Sequence, residues 1–218
     1  MALKKRIIAK LLIAGEQLVK YKRFTESRRL AGNPMSTVST LEDQCVDEFI
    51  LCSLNTTDPD FIQKITENVF TPVTAAGGIH SLEQASVLIR NCGVDKIVTK
   101  SHELARKIAD KFGNQAVVFA IDYNTHMVCS HPKEIGEVLL TDIDRDGMGK
   151  GFDLDVLKRR WDVPVVIAGG CGKLDHVKQA FANNADGVAI SSMFFFSDKS
   201  PIKLRSWLVS EGCNVRDV

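Results

Sequence analysis

The 218-residue chain has no CxxC pair among its six cysteines and no clear excess of either charge. Nor does any apolar run approach the ~18 residues that span a membrane. Each absence removes a class of function. Cys45, Cys52, Cys92, Cys129, Cys171 and Cys213 sit mostly inside or beside apolar runs. Neither disulfides nor a thiolate metal site is expected, and the reading is of a reduced, cytoplasmic protein. His80, His102, His126, His131 and His176 show no HxxxH spacing. No metal and no cofactor are therefore called for. A formal charge of +1 lacks the basic excess of a nucleic-acid binder. The start, MALKKRIIAKLLIAG, is basic and then apolar but has no cleavage pattern, so it reads as a first strand and not as a signal segment.

What is present is a regular alternation. Short runs rich in Val and Ile occur at Arg6–Ile13, Asp47–Leu54, Thr71–Ala75, Lys96–Thr99, Ala116–Asp122, Glu137–Ile143, Val163–Ala168 and Gly187–Ser191. Helical periodicity fills Asp60–Val69, Ser81–Cys92, Leu104–Phe112, Leu154–Trp161, Leu174–Asn183 and Ile202–Ser210, and more weakly Thr37–Gln44. Continuously apolar strands separated by helices imply a parallel sheet covered on its outside. Eight such units without an intervening low-complexity linker predict one (β/α)8 TIM barrel domain spanning 1–218. One connection departs from the plan. YNTHMVCSHPKEIG, after Asp122, has no helical period and is barely long enough for a parallel crossover, so the helix after the fifth strand is expected to be reduced or missing.

Two segments share a design. GGIHSLEQASVLIRNCGVDKIV (Gly77–Val98) and GGCGKLDHVKQAFANNADGVAI (Gly169–Ile190) each run from Gly-Gly through a helix and an Ala/Val-Asp pair to another strand. The repeat predicts two related half-barrels. At strand tips, glycines let backbone N–H groups approach a ligand, and the following helix N-termini favour anions. The paired tips predict a ligand with a phosphate at each end. The plainer reading is that Gly-Gly relieves crowding in tight turns. Lys100 and Ser101 end the fourth strand beside Gly78, while Ser191 and Ser192 end the eighth beside Gly169 and Gly170. LLTDIDRDGMGKG brings Thr141, Asp142, Asp144, Asp146 and Gly147 to the end of the sixth strand.

LLTDIDRDG, GGIHSLEQAS, FGNQAVVFAID and GGCGKLDHVKQAF resemble the HisF family, the cyclase subunit of imidazole glycerol phosphate synthase, in fixed order and over almost the whole chain. The resemblance implies a barrel that takes ammonia from a HisH-type glutaminase docked at its lower face. It also implies addition of that ammonia to a bisphosphorylated ribulosyl aminoimidazole carboxamide. By that likeness Gly78, Lys100 and Ser101 fall at one phosphate site. Asp146, Gly147, Gly170, Ser191 and Ser192 fall at the other. Asp122 is the counterpart of a catalytic aspartate. Arg6, Glu48, Lys96 and Glu137, each near the start of a strand, match a charged ring at the ammonia entrance, and Asp95 a surface position near the partner. If those four point inward, two positive and two negative groups meet at the barrel floor and neutralise one another. The other reading of the ring is a salt-bridged plug.

Two family positions have changed. Leu12 stands where the first strand carries a catalytic aspartate, and Ser53 where the second carries an acid. A pair of carboxylates can protonate at one site and withdraw a proton at another, and leucine can do neither. Three expectations follow. The chain is a cyclase/lyase of the HisF type. Alternatively it resembles the HisF-like paralogues associated with surface-polysaccharide genes, which supply ammonia to amidate an acetamido sugar and commonly have a leucine-rich first strand. The third is a non-catalytic scaffold for the glutaminase.

Overall fold

The computed structural model describes residues 3–25, 29–124 and 130–217. Ten strands occur among them: β1 (Arg6–Ala14), β2 (Gln17–Lys20), β3 (Arg29–Gly32), β4 (Glu48–Ser53), β5 (Val73–Ala76), β6 (Lys96–Thr99), β7 (Val117–Tyr123), β8 (Glu137–Asp142), β9 (Val165–Ala168) and β10 (Gly187–Ile190). Eight of them, β1 and β4 to β10, lie parallel in that order, and β10 pairs with β1 from Arg6↔Gly187 to Ala9↔Ile190. That last pairing closes the sheet into a (β/α)8 barrel. The remaining two, β2 and β3, form an antiparallel extension of β1, with Leu12 opposite Val19. The sequence reading did not anticipate this hairpin.

Among the described residues seven α-helices accompany the strands: α1 (Pro34–Asp43), α2 (Pro59–Thr66), α3 (Leu82–Asn91), α4 (His102–Phe112), α5 (Leu174–Ala182), α6 (Ser192–Phe196) and α7 (Pro201–Ser210). Their starts are chemically marked. Asn33, Asp58 and Ser200 each accept a hydrogen bond from a backbone N–H of the first turn, and each is followed by a proline whose missing N–H goes unneeded there. Ser81 and Gln84 close a reciprocal capping box on α3. The expected helix at Leu154–Trp161 is instead a single 3-10 turn, Asp155–Lys158. Trp161 bonds through its indole N–H to the Val156 carbonyl at 3.2 Å, folding the segment back on itself before a regular helix can develop. Between β7 and β8 none of the described residues, 124 and 130–136, is helical, and 125–129, with His126 and Cys129, lie outside the described part.

Strand alternation sorts the side chains into two layers. Ile7, Ala9, Leu11 and Ile13 of β1 join the larger apolar cluster shared with the helices. Ile8 joins a smaller one with Ile50, Ala76, Val98, Val118, Leu139, Val166 and Ala189, which fills the barrel itself. The repeated X-Asp before a strand has a bonding role at the floor. The carboxylates of Asp47, Asp95 and Asp186 accept from the backbone N–H groups of Ile7, Val73 and Val165, at 2.8, 2.8 and 3.0 Å. Each thereby ties the start of its own strand to the start of the neighbouring one. No helix among the described residues is long and apolar enough to cross a membrane.

Candidate functional site

The barrel presents two chemically different ends. At the N-terminal end of the strands, Arg6, Glu48, Lys96 and Glu137 converge. Arg6 donates to Glu48 at 2.9 Å and to Glu137 at 2.5 Å. Lys96 bonds both oxygens of Glu48 at 3.0 Å and lies 3.7 Å from Glu137. Thr74 adds a hydroxyl donor to Glu48 at 2.7 Å. The two carboxylates are nearly inaccessible, with side-chain exposures of 3% and 8%, while the two cations keep 21–25%. Burial pushes the Glu137 carboxyl above its ordinary range despite the attraction of Arg6 and Lys96. Burial also works against the charge of Arg6, but Glu137 and Glu48 outweigh it and hold the guanidinium above its usual value. An arrangement with two donors on two acceptors leaves no charge in the ring uncompensated.

At the opposite end a cavity of about 510 Å³ opens into the mouth. Its walls include Gly77, Gly78, Lys100, Ser101, Asp122 and Thr141, so the residues singled out around the first glycine tip come together with Asp122. Lys100 and Asp122 form a direct ion pair. The Ser101 hydroxyl accepts from the Leu104 N–H at 3.2 Å and so caps α4, an assignment that competes with ligand binding. Ser53 lines the same cavity.

Asp146, Gly147, Gly169, Gly170, Ser191 and Ser192 lie outside the walls of this cavity. They belong to the ends of β8, β9 and β10, and β9 stands four strands around the barrel from β5. The two glycine tips are therefore on opposite sides of one mouth. The tip after β9 meets the start of α6, where Cys171 Sγ is 3.9 Å from Met193 Sδ. Ser191 Oγ is buried there with no hydrogen-bond partner among the described residues. Asp142 is occupied within its own turn. It accepts from the N–H groups of Asp144 and Arg145 at 2.9 and 3.1 Å and pairs with Arg145 Nε at 3.0 Å. Burial raises its pKa, and those bonds work in the opposite direction. The described residues hold no group of three or more His, Cys, Asp or Glu arranged for a metal.

Glycine at the two tips has a packing reason. A Cβ on Gly77 would stand 1.9 Å from the Ser53 carbonyl oxygen, and one on Gly169 would stand 2.5 Å from that of Asp142. Each tip thus presses on the end of the preceding strand, and both glycines have positive φ, +79° and +88°. His176 completes the second tip by accepting the Gly172 N–H on Nδ1 at 3.2 Å. Burial lowers its pKa, keeping the ring a neutral acceptor.

Three features of the mouth escaped the sequence reading. Lys10 lines the cavity. Its signal was available, because it shares the inward alternation of Arg6 and Ile8. Phe24 also lines the cavity, carried by the β2–β3 hairpin, whose turn is anchored by the Arg23 N–H to the Asp146 carbonyl at 3.1 Å. Lys20, in β2, is only 6% exposed. Burial lowers its pKa, with Asp146 acting against that and Lys10 and Lys22 adding to it.

The family profile described as histidine biosynthesis protein matches residues 6–133 and 130–200. The chain is 32% identical to the imidazole glycerol phosphate synthase subunit HisF of Chlorobium phaeobacteroides, over 98% of this chain and 99% of that one. It is 31% identical to the same-named protein of a Thermotoga species, over 98% of each chain. With the Pyrobaculum aerophilum protein of that name it shares 31%, over 86% of this chain and 88% of the relative. The first alignment runs for 251 positions, more than the 218 residues here, so that relative carries segments this chain lacks. A closed parallel barrel, paired glycine tips at one mouth and these full-length similarities place the chain in the histidine biosynthesis protein family, among the HisF subunits of imidazole glycerol phosphate synthase.

Proposed function

We propose that the chain is a HisF-type synthase subunit in which ammonia released by a partner glutaminase enters at the floor and is consumed at the mouth by a phosphorylated substrate. One observation carries this reading: a self-neutralised charged ring and an open cavity occupy opposite ends of the same barrel. A ring whose cations keep some exposure while its carboxylates are buried can part by moving Lys96 or Arg6 without exposing a bare carboxylate to the apolar interior. Ammonia is small and neutral, so the apolar layer of Ile8, Ile50, Val98 and Leu139 above the ring opposes it less than it opposes ammonium. At the mouth, Gly78 and Lys100 on one side and Gly170 with Ser191 on the other serve the two phosphates.

In the first reading the acceptor is a bisphosphorylated ribulosyl aminoimidazole carboxamide. Asp122 then withdraws a proton as the new ring closes, with Lys100 paired to its carboxylate. The names of the relatives favour this acceptor. The second reading, supply of ammonia for amidating an acetamido sugar, is favoured by Leu12. Leu12 lies on the inward-facing side of β1, in register with Cys52 of the cavity wall, so the position that would partner Asp122 carries no titratable group.

The test uses the purified chain with a HisH-type glutaminase. Complex formation at micromolar concentration and stimulated glutamine hydrolysis support the glutaminase partnership, and absence of both removes it. Supplying ammonium salt with the bisphosphorylated substrate then separates the acceptors. Turnover identifies the cyclase. Glutaminase stimulation without turnover, together with amidated sugar when an amidotransferase is added, identifies the second reading.

A further inference from the structure

The cavity contains a cation that the ion pairs described above do not use. Lys10 lies in β1 two residues beyond Ile8, which fills the barrel, and four beyond Arg6, which belongs to the floor ring. At ~3.3 Å per residue it stands roughly 13 Å above that ring. It is partly buried and forms part of the wall that also holds Ile50, Cys52, Val98, Ala120 and Leu139. Among the described residues the one acid lining this cavity, Asp122, is already paired with Lys100. Among the described residues no carboxylate lies within ion-pair distance of Lys10.

The surroundings sharpen the point. Lys20 is close enough to Lys10 to have its own proton affinity lowered by it. Asp146 favours the charge of Lys20, but among the described residues it forms no ion pair with Lys10, and burying an ammonium without a close counter-ion is costly unless an anion joins it. The rest of the wall offers a ligand mainly apolar contact, together with the hydroxyls of Ser53, Thr99 and Thr141.

We propose that Lys10 is an anion anchor inside the barrel, holding a carboxylate or phosphate at the inserted end of a ligand whose other end is a phosphate at the Gly78–Lys100 rim. This rests on the reading of the mouth as a site for phosphorylated substrate, and adds a third anionic contact below the two rims. It also gives the substrate class a direction. The ligand enters acid end first, and the functional group next to that acid is the one presented to ammonia rising from the floor.

The experiment is a calorimetric titration of the full chain with three six-carbon probes: sorbitol 6-phosphate, 6-phosphogluconate and sorbitol 1,6-bisphosphate. The second and third add a carboxylate or a phosphate to the end opposite the shared phosphate. A hydrogen-bonded charge pair of ordinary strength makes the preferred diacid roughly tenfold or more tighter than sorbitol 6-phosphate. Lys10→Met and Lys10→Gln should weaken binding of the preferred diacid roughly tenfold while leaving sorbitol 6-phosphate binding unchanged, and Lys10→Arg should keep it tight. Which diacid gains identifies the acid. Equal binding of all three probes to the unaltered protein, or a diacid affinity unchanged in both uncharged variants, overturns the anchor and leaves the rim intact. Failure of every probe to bind overturns the rim reading and the anchor with it.

Discussion

The two ends of the barrel handle charge in opposite ways. At the floor, Arg6, Lys96, Glu48 and Glu137 satisfy one another so fully that nothing is left for an outside partner to neutralise. At the mouth, Lys100 is paired, Lys10 has no carboxylate within ion-pair distance among the described residues, and the cavity between them is open. A closed network contributes to holding strands β1, β4, β6 and β8 together, whereas an unpaired cation weakens the empty fold and is useful only toward a ligand. The floor is therefore the end expected to carry stability, and the mouth the end expected to carry binding.

The largest test of this division is at the mouth. In the cyclase reading, Asp122→Asn should lower turnover by about 10²–10⁴, the usual contribution of a positioned acid–base group. Its Lys100 partner is 64% exposed, so the lost pair should change folding stability by no more than about 1 kcal/mol, read from urea denaturation. A larger loss of stability would mean that the mouth, too, is structural.

At the floor the expectation reverses. Glu48→Ala leaves Arg6, Lys96 and the Thr74 hydroxyl without their shared acceptor and should destabilise the fold by about 3–5 kcal/mol. Lys96→Met should do less to folding, because Arg6 still bridges both carboxylates, and should fall mainly on the coupling between glutamine hydrolysis and synthesis. If Lys96→Met leaves coupling intact, the ring is a plug.

Gly77→Ala probes the glycine tip after β5, at the mouth. Its Cβ would overlap the Ser53 carbonyl, and φ is positive, so a loss of about 1–3 kcal/mol is expected by thermal or urea melting. Gly15→Ala, with an open surrounding but a φ of +60°, should show only the backbone part of that effect.

The smallest effect is on pH. Because the Glu137 carboxyl is raised by burial, the native state holds that proton more tightly than the unfolded chain does. From the ordinary Glu value of about 4.3 up to the raised native one, stability should fall as pH rises, and Glu137→Gln should flatten that stretch of the denaturation profile. A profile unchanged by Glu137→Gln would show that the ring shields this carboxylate completely.

Much of this was legible from particular residues. Arg6, Ile8 and Lys10 share one face of a strand by alternation alone, and the inward charges at Glu48, Lys96 and Glu137 follow from the same period-two rule. The helix starts at Asn33-Pro34, Asp58-Pro59 and Ser81-x-x-Gln84 carry local signals, because a cap is a contact within four residues. The 3-10 turn at Asp155–Lys158 was misread as a helix because its apolar spacing is helical, while the Trp161 bond that shortens it is specific to the folded geometry. The β2–β3 hairpin was missed because Gln17–Lys20 and Arg29–Gly32 are too short to show a period.

The sequence by itself determined the repeating strand–helix order, the two glycine tips and the inward placement of charge, since each depends on local spacing. Only the tertiary structure decided which charges find partners: Lys96 reaches Glu48, Lys100 reaches Asp122, and Lys10 reaches no carboxylate among the described residues. Pairing is set by distances between residues tens of positions apart, and closing the barrel is what fixes those distances.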